Sequence, residues 1–256
     1  MKYIVLSTPY SLSIYVIVLI VLGIIGGLAL AKIIKERNLL RLLLEDLKDA
    51  DWRIHEKAMK KLIRLEKAAV IPLISLLSSR YAHLRWQAVE ALGKIKDSRA
   101  IPLLIDKLDD PEAKVVEKSI IALACIGGKS ISYLGEQFIN CASDKRDKIL
   151  TVLVKIGAPA VPEIIKMLNS RNGDIRWRAI KALGQIKDSR SIQILSHILS
   201  SKNKEGEERW LAAQALGNIG DSRAIKILKM AAADDDVHLQ KAAVNALAIL
   251  KKTQKE

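Results

Sequence analysis

Apolar residues return along most of this chain at helical spacing. Leu84, Ala88, Ala91, Leu92 and Ile95 stand at i, i+4, i+7, i+8 and i+11, the buried stripe of one helix. Ile101, Leu104 and Leu108 mark a second, shorter stripe just downstream. Between the two, Asp97-Ser98 is an N-cap pair whose side-chain oxygens can take the free N–H groups that open the second helix. Pro72, Pro102 and Pro162 fall early in three such second helices, where the missing N–H costs nothing and the fixed φ suits the helix. Linkers this short make paired helices antiparallel. With a single Phe and no alternating β-branched runs, strands are not expected, and the chain reads as all-α.

The pattern repeats. The string Arg-Trp-x-Ala-x-x-Ala-Leu-Gly-x-Ile-x-Asp-Ser-Arg-Ala-Ile at Arg85 to Ile101 returns almost unchanged at Arg176 to Ile192 and at Arg209 to Ile225. Degenerate copies at Ala122 to Gly127 and Val152 to Gly157 fill the gap. Lys61 to Leu65 extends the series upstream, Ala246 to Leu250 closes it downstream, and Leu42 to Lys48 aligns as an orphan second helix. The spacing gives about six full units of roughly thirty residues, the length of a helical hairpin repeat.

These residues resemble the HEAT repeat family, most closely the short-repeat subtype named for the bilin lyase subunits of phycobiliprotein assembly. The resemblance covers roughly residues 38–251 and rests on Ala-Leu-Gly-x-Ile-x-Asp-Ser-Arg-Ala-Ile at Ala91 to Ile101, with counterparts beginning at Ala182 and Ala215. It implies a right-handed, armadillo-like α-solenoid of about six helical-hairpin repeats. It implies no particular activity, because the family spans scaffolds, adaptors and a few enzymes.

The N-terminus departs from the array. Tyr3 to Ala31 holds no charged residue, and residues 11–31 are expected to form one transmembrane helix ahead of the solenoid. Lys32, Lys35, Arg37 and Arg41 follow at once, so the positive-inside bias puts the repeats in the cytoplasm, residues 1–10 outside, and the protein at the cell membrane as a single-pass chain. Those four cations are candidates for contact with anionic lipid. Ala29-Leu30-Ala31 also resembles a signal-peptide cleavage site, but the apolar stretch exceeds the usual h-region. Residues 32–50 then form a basic juxtamembrane segment with a capping helix, 51–251 the solenoid and 252–256 a tail. Gly23-x-x-x-Gly27 matches a helix-pairing pattern, which leaves the oligomeric state open.

Net charge is +14, from 42 basic and 28 acidic residues. Much of the excess lies in the repeats, which suits an acidic protein, an anionic surface or nucleic acid, or else a solvated face. Cys125 and Cys141 lie on different helices in no metal spacing, and are expected to be buried, inert thiols. His55, His83, His197 and His238 are scattered over separate units. His55-Glu56 invites comparison with HEAT-like deoxyhypusine hydroxylases, which bind iron through repeated His-Glu pairs. Here the pair occurs once, so no metal site, cofactor or catalytic residue is expected.

Three recurrent features carry positional meaning. Trp86, Trp177 and Trp210 occupy one repeat position, either packing over the glycine notch of their own helix (Gly93, Gly184, Gly217) or forming an exposed row. Asp97, Asp188 and Asp221 recur with Arg99, Arg190 and Arg223, a pattern expected to form an ion-pair ladder between adjacent units that breaks in the third and fourth. In solenoids of this family the second helices usually line the concave face. The corresponding groove residues are Asp106, Glu136, Lys166, His197 and Lys229, a row running from acidic to basic that suits a dipolar protein partner.

The leading functional expectation is a non-catalytic membrane-anchored scaffold or adaptor that binds a protein through this surface. A bilin-lyase-like enzyme or enzyme-assisting subunit is the first alternative, permitted by the resemblance but lacking a site constellation. Nucleic-acid binding through a basic face is the second, and the acidic members of the row argue against it.

Overall fold

A computed structural model describes residues 9–47, 49, 51–201 and 206–253, with the side chains of 9–20, Trp52 and Thr253 left aside. Every regular element in these residues is helical. The chain divides into two compact units, Met1–Pro72 and Leu73–Glu256.

In the first unit, α1 (Pro9–Asp46) is followed by α2 (Trp52–Arg64), whose first turn is capped by the Asp51 side chain accepting from the Arg53 N–H. The end of α1 packs on α2 and buries Leu43 and Leu47 with Ala58 and Leu62. Earlier in α1, Val21, Leu22, Ile24, Ile25 and Leu28 are exposed, and Gly23 and Gly27 face open space. The unit boundary falls within α3 (Val70–Leu76).

The membrane span expected at residues 11–31 is corrected: among the described residues, no helix is long and apolar enough to cross a membrane. The side chains of residues 11–20 lie outside the described residues, as does most of the segment 1–10. The single-pass anchor, the cell-membrane location and the inside-outside orientation are corrected with the span. Lys32, Lys35, Arg37 and Arg41 stand exposed along α1.

The second unit is a repeat solenoid. Long first helices α4 (Ala82–Ile95), α6 (Ala113–Ile126), α8 (Ser143–Ile156), α10 (Gly173–Ile186) and α12 (Gly206–Ile219) alternate with shorter second helices, and α14 (Val237–Thr253) closes the row. The second helices are α5 (Ile101–Asp106), α7 (Ile131–Asn140), α9 (Val161–Met167), α11 (Ile192–Ser200) and α13 (Ile225–Ala231). A 3₁₀ turn joins each pair, and where the repeat is well kept Asp97, Asp188 and Asp221 cap it by accepting from the N–H of Arg99, Arg190 and Arg223 at 2.9–3.0 Å. The core is the predicted stripe: Leu84, Ala88, Ala91 and Leu92 of α4, with Ile101, Leu104 and Leu108, are all nearly or fully buried.

Two kinds of joint hold consecutive first helices together. In the tight kind a glycine stands where any side chain would collide with the next helix. A Cβ on Gly93 would lie 2.7 Å from the Ala122 Cα, one on Gly184 2.8 Å from the Ala215 Cα, and one on Gly217 2.8 Å from the Ala246 Cα. The notch is therefore filled by an alanine of the next unit, not by the tryptophan of its own helix. In α6 and α8 the same position holds Ala124 and Val154, both half-buried, and α6/α8 and α8/α10 pack less extensively than α4/α6, α10/α12 or α12/α14.

Candidate functional site

The expected groove residues fall at matching places. Asp106, Glu136, Lys166 and His197 are each the sixth residue of their second helix, and Lys229 is the fifth of its own. All five are exposed. Neighbouring second helices touch at α5/α7, α7/α9 and α11/α13, and α9 meets the turn that opens α11. Lys166 Nζ meets Glu163 Oε2 at 2.8 Å on its own helix; no ion pair joins one member of the row to another among the described residues.

Among the described residues the Asp-Ser-Arg turns meet through a carbonyl rather than through an aspartate, with Arg190 donating to the Ala158 carbonyl of the preceding turn. Arg99, Arg190 and Arg223 each fold back on the aspartate of their own turn, with Nε to Oδ1 and Nη2 to Oδ2 contacts of 2.7–3.0 Å. Geometry explains this, since the aspartate two residues back already caps the turn and the guanidinium fork fits its carboxylate bidentately. The hydrogen bond from Arg223 holds the Asp221 carboxyl down at about 2, helped by the Arg223 N–H. Arg190 depresses Asp188 in the same way.

A second recurrent arginine also ties units together. Arg85, Arg146, Arg176 and Arg209 are each the fourth residue of their first helix. Each donates backwards to carbonyls that close the previous hairpin and forwards to an acid of the next unit. Arg85 grips Asp110 with both ends of its fork, at 2.9 and 2.7 Å, and donates to Ser79 O at 3.0 Å. Arg176 reaches Ser170 O at 3.0 Å and the Glu208 carboxylate at 2.6 Å. Arg209 joins Leu199 O at 3.1 Å to Asp234 at 2.6 Å, and Arg146 joins Phe138 O at 3.0 Å to Asp174 at 3.1 Å. Burial raises the Asp110 carboxyl, but the Arg85 hydrogen bond, the Glu112 N–H and Lys107 together hold it below its ordinary value.

The remaining expectations resolve simply. Trp86, Trp177 and Trp210 are half-buried, neither core nor free. Lys114 Nζ lies 4.0 Å from the Trp86 ring centroid and Lys181 Nζ 5.1 Å from that of Trp177. Cys125 is exposed rather than buried, while burial pushes the Cys141 thiol up and away from thiolate chemistry. Among the described residues no group of His, Cys, Asp and Glu is arranged to hold a metal, and the His55 ring bonds to the Asp49 carbonyl.

Comparison with known proteins agrees with this architecture. A family model described as HEAT repeats matches residues 28–124, 133–207 and 202–255. No curated protein matches the chain. Among solved structures, human deoxyhypusine hydroxylase in complex with glycerol is similar at 17% identity and a TM-score of 0.44, covering 83% of this chain and 84% of that one. An archaeal HEAT-like repeats protein from Thermococcus onnurineus NA1 shares 15% identity over 85% of this chain and 97% of its own, with a TM-score of 0.40. The complex of CpcE and CpcF of phycocyanin lyase from Nostoc sp. PCC7120 shares 21% identity over 84% and 94%, with a TM-score of 0.37.

Proposed function

We propose, for a chain that belongs to the HEAT repeat family, that it is a non-catalytic scaffold that binds a protein partner along its second helices. The observation that carries this reading is the exposed row Asp106, Glu136, Lys166, His197 and Lys229, which repeats in position but not in residue type. Residues that do repeat are occupied otherwise: leucines and alanines in the core, glycines at joints, aspartates at turns and arginines as ties. A surface free of structural duty is free to specify a partner. The change from acidic to basic along the row favours a peptide or helix whose own charges run the other way.

Crosslinking capture from the native source, compared between the parent chain and a Lys166→Glu, Lys229→Glu double variant, tests this. Both lysines are exposed, so the melting temperature should hold while capture is lost. Undiminished capture by the variant would discard the row as the site.

A further inference from the structure

The three tryptophans differ in what covers them. All are the fifth residue of their first helix, in α4, α10 and α12. Trp86 is covered from the next first helix by Lys114, the second residue of α6, and Trp177 is covered from its own helix by Lys181, four residues on. At Trp210 both of those places hold other residues: the second residue of α14 is His238, and four residues on stands Gln214. Among the described residues no lysine or arginine covers this ring, which borders an open cleft of about 620 Å³ between α12 and α14.

The same cleft holds two carboxylates. Glu207 is exposed and has no hydrogen-bond or ion-pair partner among the described residues. Asp236 uses Oδ1 to cap α14, accepting from the His238 and Leu239 N–H groups at 2.9 and 3.3 Å, which leaves Oδ2 for another donor. Lys241 is the opposing charge on the wall.

We propose that this cleft binds an arginine side chain from a basic segment of a protein partner, its guanidinium stacked on Trp210 and paired with Glu207 and Asp236. The chemistry is the one the chain already uses on Trp86 and Trp177, where a cation over the ring is held by the quadrupole of its face. Arginine suits the place better than lysine, because its planar fork stacks on an indole while donating to carboxylates at its rim. The site lies on first helices and stands apart from the second-helix row.

The test is a titration of the four indole N–H resonances of the ¹⁵N-labelled full chain with acetyl-tetraarginine amide, and with its neutral tetracitrulline counterpart. The resonance lost in Trp210→Leu should shift saturably with the arginine peptide and stay still with citrulline. Glu207→Gln with Asp236→Asn, which keeps a good N-cap on α14, should weaken binding about tenfold. Gln214→Lys, which gives Trp210 the internal ammonium that Trp177 has, should abolish it. This exposed substitution decides the matter if Trp210→Leu fails to fold. Equal shifts at all indoles, an equal response to citrulline, or full binding by Gln214→Lys would overturn the proposal. The Lys166→Glu, Lys229→Glu variant should bind tetraarginine normally, so the failure of one site is read separately from that of the other.

Discussion

The joint between α10 and α12 and the joint between α8 and α10 are built from the same repeat yet differ at the notch and in the acid that the arginine tie reaches. At the first, Gly184 lets the helices touch, and Arg176 reaches a Glu208 carboxylate that is almost wholly buried. At the second, Val154 fills the notch position, Arg146 reaches Asp174, whose side chain is 41% exposed, and the buried Arg178 of α10 shares that carboxylate while bonding to Asp147 and Ser143 of α8. The turns differ as well. α4 and α10 end on Lys96 and Lys187 in the left-handed region at φ 58, whereas α6 and α8 end on Gly127 and Gly157 at φ 68 and 76 with ψ near −135, a region essentially closed to other residues. A solenoid is stabilised by contacts between neighbouring units, so weak joints in its middle make the place where the array yields.

The largest expected effect separates the two arginine ties. Arg176→Ala leaves the Glu208 carboxylate buried without its main counter-charge and should cost about 3–5 kcal/mol. Arg146→Ala leaves an acid that water can reach, and should cost no more than about 1 kcal/mol. Urea unfolding of the two variants measures the difference, and equal losses would erase the distinction between the joints.

Next comes the notch. Gly184→Val drives a side chain against the Ala215 backbone and should cost about 3 kcal/mol, whereas Val154→Ala, with no such contact to relieve, should stay near 1 kcal/mol. Thermal unfolding should order them accordingly. The turns follow: Gly157→Ala should cost about 1–2 kcal/mol through its backbone angles alone, while Lys187→Gly should be neutral or mildly stabilising.

The smallest effect concerns the self-paired turns. Asp221 has a folded pKa of about 2 against an ordinary 3.8, so its contribution is complete above 3.8 and fades as pH falls through about 2. A carboxyl NMR titration should find that low midpoint, and Arg223→Gln should return it towards the ordinary value.

The helical stripes and the Asp-Ser caps were legible because each depends on residues near one another in sequence or on exact recurrence. The arginine ties were not. Their partners lie 25 to 32 residues away, in loops and first turns where the acid shifts position from unit to unit: Asp110, Asp174, Glu208, Asp234. One signal was present, since Arg146 keeps the fourth helical position in a unit that has lost most of the motif. The Asp-Ser-Arg turn misled for the opposite reason, because recurrence suggested a partner in the next unit when the nearest carboxylate stood two residues back. The apolar N-terminal stretch suggested a membrane span from composition alone, whereas among the described residues no helix is long and apolar enough to cross a membrane. The five groove residues were legible as exposed positions of one register, while what they bind depends on a partner that the sequence does not contain.

The proposed binding row crosses the weak joints, with Glu136 on α7 and Lys166 on α9 carried by the two middle hairpins. A surface that adapts to its partner there requires the middle to open before the flanks. Hydrogen exchange of the full chain, read helix by helix, measures this directly. The amides of α8 should exchange on the order of tenfold faster than those of α10 and α12. Uniform protection from α4 to α14 would contradict the account.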